Sequence, residues 1–263
     1  MTPIPAFDAP AAAVTFVGAG PGSAAHLTLG AFRAIQGADV VIHDRLVGDE
    51  VLALIPATTR RIDVGKEGFG PTTPQSRINA VLVAEAITGA RVVRLKGGDT
   101  GIFGRLDEEI AALEAAGLSF AILPGLTAAS VAAATIGQSL TKRGRNASLR
   151  IVTGHDIQGF AEQDWRGLAR AGEVCAIYMG KKSARFIQGR LMMHGADADT
   201  PVTVVENVAR PDCRIIAATL ATLPEAVAQA DGPAVLLYGL APRRAHSSLK
   251  DLAAAPELKE ALG

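Results

Sequence analysis

Cysteine is almost missing from this chain. The 263 residues include only Cys175 and Cys213. Two thiols make no disulfide framework, and Cys175 sits within the apolar run Val174-Cys175-Ala176-Ile177-Tyr178, which predicts a buried, reduced side chain. No metal-ligand spacing joins either cysteine to the five histidines, so no metal site is expected. Aromatics are scarce as well, at 4% of residues with a single tryptophan. The rest of the composition is that of a globular protein rich in alanine and valine. Net charge is also lacking: 26 Lys and Arg balance 26 Asp and Glu. That excludes a nucleic-acid surface as the main business, while leaving room for local basic pockets. No apolar run reaches the roughly twenty residues of a spanning helix. Met1–Ala13 has no Lys or Arg and several prolines, which makes a poor signal peptide. The expectation is a cytoplasmic protein that binds neither membrane nor nucleic acid. Its length suggests one or two domains, with cores that need no staples.

Glycine, by contrast, is concentrated where it matters. Val14-Thr15-Phe16-Val17 runs into Gly18-Ala19-Gly20-Pro21-Gly22, and Arg94-Leu95-Lys96 runs into Gly97-Gly98-Asp99. Each reads as a buried strand ending in a tight loop. Two such loops on neighbouring strands would make a cleft for a flat, polar small molecule. The first loop fails the dinucleotide fingerprint: Ser23 stands where the third glycine belongs, and Pro21 removes an N–H and fixes φ. A ligand without phosphates fits better. The Asp99 carboxylate is a candidate acceptor for an amine or ribose, with a turn or helix-cap aspartate as the plainer alternative.

Apolar β-rich runs alternate with helical patterns. Strands are expected near 13–18, 38–43, 60–64, 91–95 and 119–123, then near 148–153, 173–178, 201–206, 213–219 and 233–239. Thr73-Pro74 predicts a helix start, with Ile78, Val81, Leu82 and Ala86 following at helical spacing. Leu106, Ile110 and Leu113 do the same, with Gly117 as the stop. Pro124 to Ala129 opens a small-residue helix, and Thr222-Leu223-Pro224-Glu225 fits a capping box. The fold class is therefore α/β, with mixed, mainly parallel sheets. Two domains are expected, 11–136 and 146–242, joined by a polar connector at 137–147 and followed by a tail at 243–263.

Further short segments accompany the glycine loops, in chain order: HDRLV at 43–47, VGK at 64–66, IFGR at 102–105, PGLTAA at 124–129, LT at 140–141, VTGH at 152–155, YMG at 178–180, TPVTVVEN at 200–207 and PAVLLYG at 233–239. With VGAGPG at 17–22 and RLKGGD at 94–99 they cover nearly the whole chain. On these segments the chain resembles the tetrapyrrole methylases, most closely members that act on uroporphyrinogen III. The resemblance implies two unlike α/β lobes with the cofactor in the cleft between them, and a homodimer. It implies S-adenosylmethionine as methyl donor and S-adenosylhomocysteine as product. Methyl groups would pass to two ring carbons, C2 and C7, giving precorrin-2 by way of precorrin-1 for sirohaem or cobalamin synthesis. The alternatives are a methylase of a later corrin intermediate and, from another class, a nicotinamide-dependent dehydrogenase of tetrapyrroles. Some members carry such a dehydrogenase domain ahead of the methylase. The first strand here begins so near Met1 that no such domain is expected.

The resemblance assigns the cofactor pocket to Pro21, Gly97, Gly98, Asp99, Ile102, Thr127, Ala128, Met179, Val208 and Ala234. It assigns Asp44 as proton acceptor and Lys66 as proton donor. The division suits the chemistry, because a pyrrole carbon that gains a methyl leaves a cationic ring that must lose a proton elsewhere. Such a substrate is rich in carboxylates, and a neutral protein needs a local basic patch to hold it. Lys142, Arg143 and Arg145 form the densest run, supported by Arg45, Arg105 and Arg150, and arginine suits bidentate carboxylate contact. The chain departs from the family pattern at four places. Lys142 replaces a histidine, Thr100-Gly101 replaces Pro-Phe, Leu106-Asp107 replaces Gly-Gly, and Val208 replaces a small residue.

Overall fold

The computed structural model describes residues 12–65, 73–157 and 159–243. Lys66 lies outside the described residues, and so does the expected tail after Arg243. Two compact units emerge. The first runs to Val131 and also takes in Asn207–Cys213; the second holds Ala132–Glu206 and the chain from Arg214 onward.

The first unit opens with β1 (Val14–Gly18), a 3₁₀ turn (Ala24–His26), α1 (Leu29–Gln36) and β2 (Val40–His43). It continues through α2 (Asp49–Leu52), β3 (Arg60–Asp63), α3 (Gln75–Ile87), β4 (Val92–Lys96), α4 (Leu106–Ala115), β5 (Phe120–Leu123) and the start of α5 (Ala128–Thr135). The strands lie in the order β3-β2-β4-β1-β5, and every pairing is parallel. The two central strands are buried end to end; β1 reads as an almost continuous apolar run, whereas β4 carries Arg94 and Lys96 among its apolar residues. Alternate side chains feed two cores. Val17, Val41, Val93 and Leu95 pack with Ala31, Ala34 and Ile35 of α1. Val14, Phe16, Ile42 and Val92 face the other way, onto Leu82 of α3 and Leu113 of α4. Truncating the fully buried Leu113 to alanine would cost about 2–5 kcal/mol.

Two helix starts differ from expectation. Pro74, rather than Thr73, caps α3, and no side chain closes the cap. The Thr73 hydroxyl donates instead to the Gly65 carbonyl at 3.1 Å. By contrast Thr28 caps α1, accepting from Ala31 N at 3.1 Å. Gly117 does follow the end of α4, with φ of 69°.

The second unit holds β6 (Arg150–Thr153), a hairpin of β7 (His155–Asp156) and β8 (Gly159–Phe160), α6 (Trp165–Leu168) and β9 (Cys175–Tyr178). Then come α7 (Ala184–Met193), β10 (Pro201–Glu206), β11 (Arg214–Thr219), α8 (Leu223–Ala228) and β12 (Ala234–Tyr238). The order is β11-β10-β12-β9-β6. Only β6 and β9 are parallel, so this sheet is mixed and unlike the first. One face packs Cys175, Ile177, Val202, Val204, Leu236 and Tyr238 against helices α6, α7 and α8. Burial there pushes the Cys175 thiol up to about 12, consistent with an inert core residue. The capping box at Thr222 does not form: the helix starts there, but the hydroxyl turns back to Thr219. Among the described residues, no helix is long and apolar enough to cross a membrane.

Candidate active site

In the first unit β1 and β4 are neighbours, but their following helices leave in opposite directions. Helix α1 packs on one face of the sheet and α4 on the other. Chains that part in this way open a crevice at the carboxyl edge of a parallel sheet. Both glycine loops lie there. Gly20 N donates to Gly98 O at 3.1 Å and Gly98 N to Gly20 O at 2.7 Å. At Gly18 a Cβ would lie 2.6 Å from Gly125 Cα and 2.9 Å from Gly98 O, so the loops after β1, β4 and β5 meet backbone to backbone. Gly98 has φ of 74°, which side chains rarely adopt, and the direction of its missing Cβ is empty to 4 Å. The loop thus turns a bare backbone toward open space.

Asp99 ties these loops together. Its Oδ1 accepts from Gly101 N at 2.9 Å and its Oδ2 from Gly125 N at 2.9 Å. The carboxylate that the sequence offers to a ligand therefore already fastens the β4–α4 loop to the β5–α5 loop, although each oxygen keeps a second lone pair. Pro21 is half-buried beside this crossing. The loop 207–213 closes onto the same region, with Arg210 Nη2 donating to Leu46 O at 3.0 Å. Val208 in that loop is buried, so the larger side chain is packed away.

Asp44 follows β2. Its Oδ1 accepts from Leu46 N at 2.9 Å, and its Oδ2 stands 3.6 Å from Arg94 Nη2. Arg94 and Lys96 share one face of β4, and both are buried. Glu109 of α4 meets them. Arg94 donates to it through Nε at 3.0 Å and Nη2 at 3.1 Å, and Lys96 Nζ donates at 2.7 Å. Burial and the Arg94 charge draw the Lys96 ammonium below the usual lysine range, against the pull of Glu109 and Asp44. Burial alone would raise the Glu109 carboxyl, but Arg94 and Lys96 outweigh it and hold the group below the usual glutamate range.

The other expected residues fall into two sets. In the first unit, Ile102, Thr127 and Ala128 are half-buried in the loops after β4 and β5. Arg45 is half-exposed and 4.0 Å from Asp63, and Arg105 pairs with Glu108 through two 2.7 Å bonds. In the second unit, Leu236 lies opposite Ile177. Ala234 opens β12 opposite Glu206 of β10, and Met179 follows the end of β9 with φ of 52°. Lys142 and Arg143 are exposed. Arg145 is committed to its own loop, donating to Asn146 Oδ1 at 3.0 Å and to Ser139 O at 2.7 Å. Arg150 pairs with Asp164 at 3.0 Å. The cluster of Arg94, Lys96 and Glu109 escapes sequence reading of the site. Its trace was two cations spaced i, i+2 in a buried strand, ahead of an acidic helix start.

Backbone strain marks the same segments. Among the described residues, the non-glycine positions with positive φ are Phe103, Arg105, Met179, Asn207 and Ala209. Strained conformations of this kind gather at functional sites. Among the described residues, no three His, Cys, Asp or Glu side chains cluster as a metal site would require.

A switch-point crevice, bare glycine loops and an aspartate over buried charge define an α/β enzyme for a small ligand. Residues 13–224 match the family model for tetrapyrrole (corrin/porphyrin) methylases. The chain belongs to that family. It is 46% identical to siroheme synthase 3 of Aeromonas hydrophila over 226 residues, covering 86% of this chain and 48% of that protein. The chain thus spans about half the length of the curated relatives it matches. Among solved structures, it resembles the uroporphyrin-III C-methyl transferase of Thermus thermophilus complexed with S-adenosyl homocysteine. The identity is 34% and the TM-score 0.74, over 86% of this chain and 96% of that one. A cobalt precorrin-4 methyltransferase, at 23% identity and a TM-score of 0.76 over 86% of this chain and 94% of that one, shares the fold.

Proposed function

We propose that the protein transfers methyl groups from S-adenosylmethionine to C2 and C7 of uroporphyrinogen III, giving precorrin-2 through precorrin-1 for sirohaem or cobalamin synthesis. The observation that carries this reading is the crevice between β1 and β4, where Gly98 faces open space at the same sheet edge as Asp44. The matched methyltransferase, covered almost end to end, and the siroheme synthases support it. The crevice suits the cofactor, because a loop with no Cβ at Gly98 lets a ligand lie on the backbone.

When bound, S-adenosylmethionine supplies an electrophilic methyl on sulfur. The chain's own residues do the rest. The crossed loops at Gly20, Gly98 and Gly125 hold the ligand in a fixed place, and positioning of this kind can supply much of the rate. Asp44 offers a carboxylate to the cationic methylated ring and takes the proton that the ring must lose. Lys66 serves as proton donor. Lys142, Arg143, Arg45 and Arg105 meet the carboxylates of the substrate. No covalent nucleophile is required. We read the working form as a cytoplasmic homodimer, as the resemblance implies.

Mass spectrometry of a time course with uroporphyrinogen III and S-adenosylmethionine tests the proposal. A singly methylated species should rise and decay into a doubly methylated product. Asp44→Asn should slow turnover more than it weakens cofactor binding. A product that stops at one methyl group, or an Asp44→Asn enzyme of normal rate, overturns the corresponding part.

A further inference from the structure

Arg94, Lys96 and Glu109 have no part in the reaction as described, yet they are 2%, 4% and 1% exposed. Burying two cations and an anion at a sheet–helix interface is a costly substitute for aliphatic packing. Their geometry suggests what the burial achieves. The Arg94 guanidinium has two carboxylates within reach. Toward Glu109 it makes bonds of 3.0 and 3.1 Å; toward Asp44 it stops at 3.6 Å, beyond hydrogen-bond reach. Lys96 Nζ also goes to Glu109, at 2.7 Å. The remaining Arg94 nitrogen, Nη1, donates to Leu95 O at 3.0 Å. Glu109 thus holds both cations, and Asp44 Oδ2 is left with charge beside it but, among the described residues, no close donor.

We propose that Glu109 is a positioning residue for the base. By drawing Arg94 and Lys96 back, it keeps one Asp44 oxygen clear of a close guanidinium bond and so open to the ring proton. The proposal rests on reading Asp44 as the proton acceptor. Among the described residues, the charged and titratable groups around the cluster are Arg94 and Lys96 of β4, Glu108 and Glu109 of α4, and Arg105 just before that helix. His43, Arg45 and Asp63 lie on the Asp44 side. From α3 a neutral amide approaches: Gln75 donates to Glu109 Oε1 at 3.3 Å and to Asn79.

The sign of each perturbation follows. Neutralising Glu109 leaves Asp44 as the one carboxylate facing Arg94. The pair closes, the ionised form is favoured, and Asp44 becomes a weaker base. Removing Lys96 does the reverse: Glu109 keeps Arg94, and Asp44 loses a neighbouring positive charge, so it binds its proton more tightly.

The test is the pH profile of kcat at saturating substrate and cofactor for wild type, Glu109→Gln and Lys96→Met. Melting curves and calorimetric cofactor affinity are measured alongside. In Glu109→Gln the acid limb should move down by about one pH unit and the plateau fall by roughly tenfold. In Lys96→Met the acid limb should move up. Cofactor affinity should hold in both. A merely structural role would scale activity at every pH and leave the limbs in place, and that result overturns the proposal. Limbs that shift in the same direction overturn it as well. If Glu109→Gln does not fold, Lys96→Met decides alone, because it keeps the Arg94–Glu109 pair: an acid limb that stays put refutes the inference. An Asp44→Asn enzyme with wild-type turnover would instead remove the base reading beneath it.

Discussion

Replacing Gly98 by alanine separates strain from ligand contact. At φ of 74°, an alanine pays the left-handed penalty, about 1–2 kcal/mol. For a chain of this size that lowers Tm by roughly 2–8 °C. No clash adds to it, because nothing lies within 4 Å of the new Cβ. A ligand lying on this loop would have to accommodate the methyl group. Overpacking of that kind costs about 1–3 kcal/mol, so Kd for S-adenosylmethionine should rise by roughly five- to 150-fold. Gly117→Ala is the matched control. It has φ of 69°, also finds nothing within 4 Å, and lies between α4 and β5, at the opposite edge of the sheet from the crevice. The two variants should melt alike, and only Gly98→Ala should lose cofactor affinity in calorimetry. Equal, wild-type affinity in both would refute the placement of the cofactor on this loop.

Asp99→Ala removes two bonds to a carboxylate and should cost about 2–4 kcal/mol in urea unfolding, with a smaller loss for Asp99→Asn, which can keep one. An unchanged midpoint would show that the loops hold without it. Lys142→Ala with Arg143→Ala should raise KM for the tetrapyrrole tenfold or more, at about 1.5–3 kcal/mol per lost charged bond, and leave cofactor affinity alone. A KM that stays put would make the run a solvated loop. Glu109 has a folded-state pKa below its ordinary 4.5, so its contribution to stability is complete above that value and is lost as pH falls through the lower one. The Tm gap between wild type and Glu109→Gln should therefore be widest near neutrality and shrink below pH 4.5; a constant gap would contradict the sign.

The ten strands were legible because their signals are local. Runs such as VTFVG and PVTVVE are β-branched and buried, and glycine or polar residues end them. The glycine loops were legible for the same reason. Caps were not. Thr73 and Thr222 have the right residue type at the right place, but a hydroxyl chooses among several acceptors, and here Gly65 and Thr219 win. The short β7–β8 hairpin has no periodicity to read. The charge cluster was hidden because Arg94 and Glu109 meet only once α4 has docked on its face of β4. Asp99 showed its type and its turn, but its bond to Gly125 spans 26 residues and appears only when β5 lies beside β1.

The first unit is not continuous along the chain, and this sets the order in which it can be finished. Its sheet is encoded before residue 131, but Asn207–Cys213 belong to it too. Domains tend to fold as their residues leave the ribosome. The parallel sheet can therefore assemble early in synthesis, while Leu46 waits for Arg210 and Gly22 waits for Ala209, which lies against it. Most of the second unit is translated in the interval. A nascent chain halted before residue 207 would hold the parallel sheet with its rim at Gly22 and Leu46 still incomplete, so the first unit is finished only after most of the second has been translated.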